Sequence, residues 1–191
     1  MVAGIQRFAL RELARSPARR EQAWRRDFSS AAAYARSIAP QRETFREYIG
    51  AVDPRVDPTE FELLGTLGHD ARVAITEAFE VLAVRWAVLA GLTGEGLLLQ
   101  PKGAIRSRAV VLPDADWTPE MFVGLEPGVP ESAQLPRRLA AQGVQVIVPM
   151  LIGRGTELSG SHFVRFTNQP HREFIYRQTF EVGRHPIGYE V

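Results

Sequence analysis

The sequence predicts an α/β fold, and three observations carry that expectation. The texture turns β-rich after Ala71, with Val73-Ala74-Ile75 and then Val81–Leu89, a Gly-rich break at Gly91–Gly96, and a return run Gly96–Gln100. Beyond it, two short apolar runs, Arg108–Leu112 and Val144–Val148, flank a stretch at 131–142 with helical spacing. Gly143 stands between that stretch and the second run, where a helix stop belongs. A hairpin followed by strand, helix and strand is a mixed sheet whose last two strands run parallel.

The first 50 residues read as helical. Ile5, Phe8, Ala9 and Leu13 share one face. Ser16-Pro17 reads as an N-cap followed by proline in the first turn, so a second helix is expected to start there. Its apolar stripe is Trp24, Phe28, Ala31, Ala35 and Ile38, which Pro40 ends. Phe45, Tyr48 and Ile49 make one more amphipathic turn before Gly50. Asp53-Pro54 and Asp57-Pro58 disfavour helix, so residues 51–72 are expected to be a linker. The division is therefore a helical extension at 1–50, the linker, and an α/β domain at 73–191.

Within that domain the strands are expected at 81–89, 96–100, 108–112 and 144–148, the first pair antiparallel and the last pair parallel. Leu135, Leu139 and Ala140 form the buried face of the intervening helix, and the span from Pro113 to Pro130 is a long loop. After a loop at 153–166, Thr167 or Asn168 caps a helix whose buried face is Phe174, Ile175 and Phe180. Gly183 and Pro186 interrupt it.

Composition narrows the functional classes. The 191 residues carry a net charge of +1 with 24% charged residues, so the overall balance calls for neither nucleic acid nor an acidic partner. Ten arginines against five acids give residues 1–50 a net of +5, but the two signs are interleaved, the pattern of solvated helix faces. Cysteine is absent, which excludes disulfides, thiolate zinc sites and a cysteine nucleophile. The first residues lack the apolar run of a signal peptide and no stretch is long enough to span a bilayer. The expectation is a cytoplasmic chain, or a secreted one if the true start lies upstream, with no membrane and no nucleic-acid partner.

Two segments carry a family likeness. Leu112-Pro-Asp-Ala-Asp-Trp-Thr-Pro-Glu120 and Asn168-Gln-Pro-His-Arg-Glu-Phe174, together with Leu139–Gly155 as helix, glycine, buried strand and Arg-Gly, resemble bacterial α/β-hydrolases of the acetylxylan-esterase and dienelactone-hydrolase kind. The resemblance runs from about Trp24 to the end. In its light the chain corresponds to the N-terminal half of the α/β-hydrolase sheet, strands one to four with the first helix and the start of the second. It implies that the intact protein is a serine esterase or lactonase acting on a small acyl ester, with no cofactor and no metal. It also implies that the loop Asp114, Ala115, Asp116 and Trp117 lends a backbone N–H to the oxyanion hole.

None of Ser16, Ser29, Ser30, Ser37, Ser107, Ser132, Ser159 or Ser161 has glycine both two residues before and two after, so the chain has no G-x-S-x-G elbow. In the superfamily's order the serine precedes the acid and the histidine, and the elbow follows the fifth strand. The catalytic serine, acid and histidine are thus expected outside this chain, which would be inactive alone. That fifth strand flanks the third, so 108–112 is expected to be a bare sheet edge, prone to pairing with other chains. The alternative is a non-catalytic βαβ module that binds a ligand or partner through residues 153–169.

Other candidates are weak. Gly153-Arg-Gly155 imitates a dinucleotide loop without its third glycine. His162, His171 and His185 lack ligand spacing. Asp114 and Asp116 flank a point where a cation could sit, with no third ligand near.

Overall fold

The computed structural model describes residues 1–57, 60–157, 163 and 168–190. Its elements are α1 (Val2–Ala23), α2 (Ala31–Tyr48), β1 (Glu62–Leu63), β2 (Arg72–Ile75), β3 (Phe79–Leu89), β4 (Leu92–Pro101), β5 (Ser107–Val110), α3 (Pro119–Phe122), α4 (Leu135–Ala141), β6 (Val144–Pro149), α5 (His171–Phe180) and α6 (Pro186–Glu190). Six strands form one sheet in the order β1-β3-β4-β6-β5, and β2 lies alongside β3. The fold is α/β, as the sequence predicts.

β3 and β4 are antiparallel over almost their whole length, and β4 pairs antiparallel with β6. β5 and β6 are parallel, with Ala109 opposite Val146 and Val110 opposite Ile147. Gly143 ends α4 with φ +87°, a conformation that suits glycine.

The hairpin differs from expectation. Its turn is Ala90-Gly91, with Gly91 at φ +78°, and β4 already begins at Leu92. Gly94 and Gly96 are strand residues, there for close approach and not for turning. A Cβ on Gly94 would stand 2.6 Å from Cε2 of Trp86, and one on Gly96 would meet the Val148 carbonyl oxygen of β6.

The helical leader also differs. α1 runs unbroken through Ser16-Pro17, although proline removes one helical hydrogen bond. Glu12 ties the turns on either side of that gap, with Arg15 Nη1 3.2 Å and Arg19 Nη1 3.5 Å from its carboxylate. The break falls at 24–30 instead, so Trp24 and Phe28 belong to no helix. There Asp27 accepts from the Ser29 amide at 2.9 Å, and Ser30 Oγ accepts from the Ala33 amide at 3.1 Å. Pro40 lies inside α2 and does not end it. α1 buries nothing and α2 buries only Ala33; of the stripe expected to face a neighbour, Ile38 is half-buried and the rest is exposed.

Within the stretch 51–72, expected as a linker, several residues bond to the sheet. Val56 donates to the Val88 carbonyl at 3.1 Å, Leu64 donates to Ala83 at 2.9 Å, and β1 pairs with β3. The span 113–130 is likewise more than a loop. Thr118 Oγ1 accepts from the Met121 amide at 3.1 Å and so caps α3, whose Phe122 is buried together with Val123 and Val129.

The main core cluster occupies one face of the sheet, while Val84 and Leu98 are buried on the other. On the first face Phe79, Val81, Leu97, Leu99, Val146 and Val148 pack against Phe122, Val123, Val129 and Ala140. Leu135, assigned to that face by the sequence, is exposed, since α4 begins at Leu135 and a 3-10 turn at Glu131–Ala133 replaces its expected first turn. α5 starts from Pro170 and buries no residue completely; Phe180 is 64% exposed, its ring 5.7 Å from that of Tyr176 on the same helix. Thr167, one of its two expected caps, lies outside the described residues. No helix among the described residues is long and apolar enough to cross a membrane.

Candidate functional site

The loop singled out by the sequence leaves the carboxyl end of β5. The Val111 amide still bonds to Ile147 at 2.9 Å, Pro113 is buried, and the chain then turns at Asp114. The Trp117 amide donates to the Asp114 carbonyl at 2.9 Å and the Asp116 amide to Asp114 Oδ1 at 3.0 Å. The Ala115 amide also contributes to holding that carboxylate charged. Asp114 is held below the ordinary aspartate range, first by the Asp116 N–H and next by the Arg154 guanidinium. Arg154 Nη1 lies 3.2 Å from Asp114 and 2.7 Å from Asp116. Trp117 is half-buried, its ring 5.5 Å from that of Phe122.

The arrangement is thus an Asx-type turn closed on itself. An oxyanion donor must aim at the developing charge from about 3 Å. The Asp116 and Trp117 amides face Asp114, so either can serve an oxyanion only after the turn opens. The two carboxylates that could have flanked a cation are bridged by Arg154. Among the described residues no group of three or more His, Asp or Glu is placed to hold a metal.

Beside the loop, on the sheet face away from the core, lies an open groove of about 1090 Å³. Trp86, Val110, Leu112, Ile147, Met150 and Ile175 give it apolar walls, while Asp53, Arg55, Arg184 and Glu190 supply charge. It begins at Leu112, and none of Asp114, Ala115, Asp116 or Trp117 lines it.

The best-built polar cluster is one the sequence reading missed. Arg172 Nη1 and Nη2 hold both oxygens of Glu190 at 2.6 and 2.7 Å, with side chains only 26% and 12% exposed. Arg172 Nη1 also donates to the Ile152 carbonyl at 3.1 Å, and the Ile152 amide donates to Glu190 Oε1 at 2.9 Å. The bidentate contact raises the Arg172 pKa further above its ordinary value. A signal existed: an arginine in the first turn of a helix opposes the macrodipole and calls for a nearby anion. The identity of that anion was not legible.

Gly153-Arg-Gly155 serves the same junction. Its carbonyls at 153 and 155 accept from the first amides of α5, Arg172 at 3.1 Å and His171 at 2.8 Å. Those helix donors are therefore taken by protein, the reverse of a phosphate loop. His185 Nδ1 accepts from the Ile187 amide at 3.2 Å and its ring meets Tyr176 edge-on at 5.1 Å, a structural role. His171 opens α5, half-buried. His162, Ser159 and Ser161, with most of the loop proposed for partner binding, lie outside the described residues.

No family model matches this chain. Nor does a curated protein. Among solved structures, a "putative acetyl xylan esterase" from Bacteroides fragilis NCTC 9343 is similar at 16% identity and a TM-score of 0.48, over 87% of this chain and 42% of that one. The chain therefore spans less than half the length of that structure.

Proposed function

We propose that this chain is the front part of the sheet of a carboxylic-ester hydrolase, an esterase or lactonase for small acyl esters, and that these 191 residues alone hydrolyse nothing. The observation that carries the reading is the strand order. From the hairpin outward the sheet runs β3, β4, β6, β5, antiparallel at first and parallel in its last pair, with β5 at the edge. The sequence resemblance implies a further strand on the free side of β5, leading into the nucleophile elbow. Val110, 67% exposed, and Leu112, 56% exposed, are apolar side chains that such a strand and its helix would cover.

On this reading the chemistry is acyl transfer. A serine on the elbow attacks the ester carbonyl, a histidine takes its proton, and backbone N–H groups steady the tetrahedral oxyanion. The loop Asp114–Trp117 borders that position. The Asp116 and Trp117 amides reach a substrate oxygen only when the Asp114 turn is released, so Arg154, which holds Asp114 and Asp116 together, sets how easily the loop gives these donors.

The test is to read the gene past codon 191 and to assay the extended and 191-residue forms on an activated acetyl ester. The expected result is a downstream G-x-S-x-G, hydrolysis by the extended form that its Ser→Ala variant loses, and none by the short one. A continuation without an elbow, or turnover by the short chain, rejects the proposal.

A further inference from the structure

α1 is a 22-residue helix with no buried side chain. At 100° per residue, Val2, Ile5, Ala9 and Leu13 fall within an arc of about 80°. Arg7, Arg11, Arg15 and Arg19, at steps of four, occupy the opposite arc of about 120°. Val2 is 81% exposed, Ile5 62% and Leu13 67%, so an apolar stripe faces water over the first half of the helix. The stripe ends at Ser16 and Arg20. Phe8, expected on that stripe, stands instead among the arginines, with the Arg11 guanidinium 5.4 Å from its ring centre. Just past the helix, Trp24 is half exposed and carries Arg26 over its ring at 4.9 Å.

We propose that α1 lies on an anionic lipid surface, its apolar stripe in the interface and its arginines at the level of the headgroups. Three features select this occupant. A basic helix with a bare apolar stripe and an aromatic residue near one end has the form of an interfacial helix. Residues 1–26 carry seven arginines against Glu12 and Glu21, so the complementary surface is anionic. Four side chains on half a helix are too few to bury the roughly 800 Å² per partner of a stable protein interface. A nucleic acid would answer the charge and leave Val2, Ile5 and Leu13 in water. The interleaved acids read as solvated helix faces, and sequence alone does not show that the apolar face of α1 buries nothing among the described residues.

The experiment is vesicle flotation with the 191-residue protein, on phosphatidylcholine alone and on phosphatidylcholine mixed with phosphatidylserine, at low and high salt. Flotation separates bound protein from self-associated protein, which sediments. Binding is expected on the anionic vesicles only, to be lost at high salt, and to fall about fivefold for each of Arg7→Gln and Arg11→Gln. Ile5→Ser and Leu13→Ser lower it as well. Because α1 buries nothing, these variants should keep the parent's thermal melt, which verifies that lost binding is not lost folding. Equal binding to both vesicle types, no binding, or arginine variants that bind like the parent overturns the proposal. So does a lipid-free dimer that Leu13→Ser dissociates in a protein that ignores vesicles, which would give the face to a second copy.

Discussion

The two faces of the sheet are built differently. On one, Leu97 and Leu99 of β4 and Val146 and Val148 of β6 meet α4 and the capped turn of α3, and almost no solvent reaches them. On the other, Ile147 and Val110 look into the groove, which α5, α6 and the segment at 53–56 border without filling. Alternate residues of β6, one peptide apart, thus sit in a packed interior and in an open trough. Burial on one face is enough to fix strand register, since a slip by one residue would exchange the two sets. The open face contributes less to stability and leaves more surface for something else to occupy.

That contrast sets the order of expected effects. Leu99→Ala removes a side chain with no exposed surface and should cost about 2–5 kcal/mol in urea unfolding. Leu112→Ala on the groove should cost roughly 0.5 kcal/mol or less. Comparable losses for the two would mean that the groove is filled in solution.

Gly188→Ala probes the border of the open face. The new Cβ would strike the carbonyl of Gly50 and stand 2.7 Å from the Ile49 oxygen. Both are backbone, so α6 must lift, at about 1–3 kcal/mol. Hydrogen exchange should quicken over 184–190 and stay slow over 144–149. Next comes Glu190→Gln, which removes the anion between Arg172 and the Ile152 amide and should cost about 1–2 kcal/mol. An unchanged melt would show that α6 is not held by this pair.

The smallest effect is the pH response of Asp53. Arg184 reaches its two oxygens at 2.6 and 3.1 Å and holds its pKa below the ordinary 3.8. A depressed folded value means that the pair stabilises the protein above that pH and that the gain disappears as pH falls through the lowered value. Asp53→Asn should therefore be less stable than the parent at neutral pH and match it in strong acid. A difference that persists in acid assigns the loss to packing.

Much of this architecture was legible, and the failures have physical causes. The parallel pair β5 and β6 could be read because its apolar runs flank a helical stretch that ends in a φ +87° glycine. β4 was read short because Gly94 and Gly96 look like turn residues, whereas the Trp86 indole and the Val148 carbonyl demand them. Pro17 misled because local rules do not see Glu12 bridging the gap it leaves in α1, and Pro40 because a helix can carry a proline past its first turn at the loss of one bond. The packing of Phe122 and Val129 was hidden in a stretch without periodicity. At the site, the strand-end position of Asp114–Trp117 followed from chain order. The Arg154 bridge spans 40 residues and the Arg172–Glu190 pair 18, and a pattern of nearest neighbours says nothing about either.

The contact between the end of α2 and α6 bears on how the protein is made. Asp53 and Arg184 are 131 positions apart, and Gly50 and Gly188 touch across a similar span. During synthesis the segment around Gly50 emerges long before its partner. It must wait, with Asp53 and the Ile49 carbonyl in water, while the hairpin and the β5–α4–β6 unit form from nearer contacts. Closing so long a loop comes late in folding. A released chain cut short between residues 150 and 184 would then keep its packed core and have its front helices unmoored, readily cut by protease near residue 50.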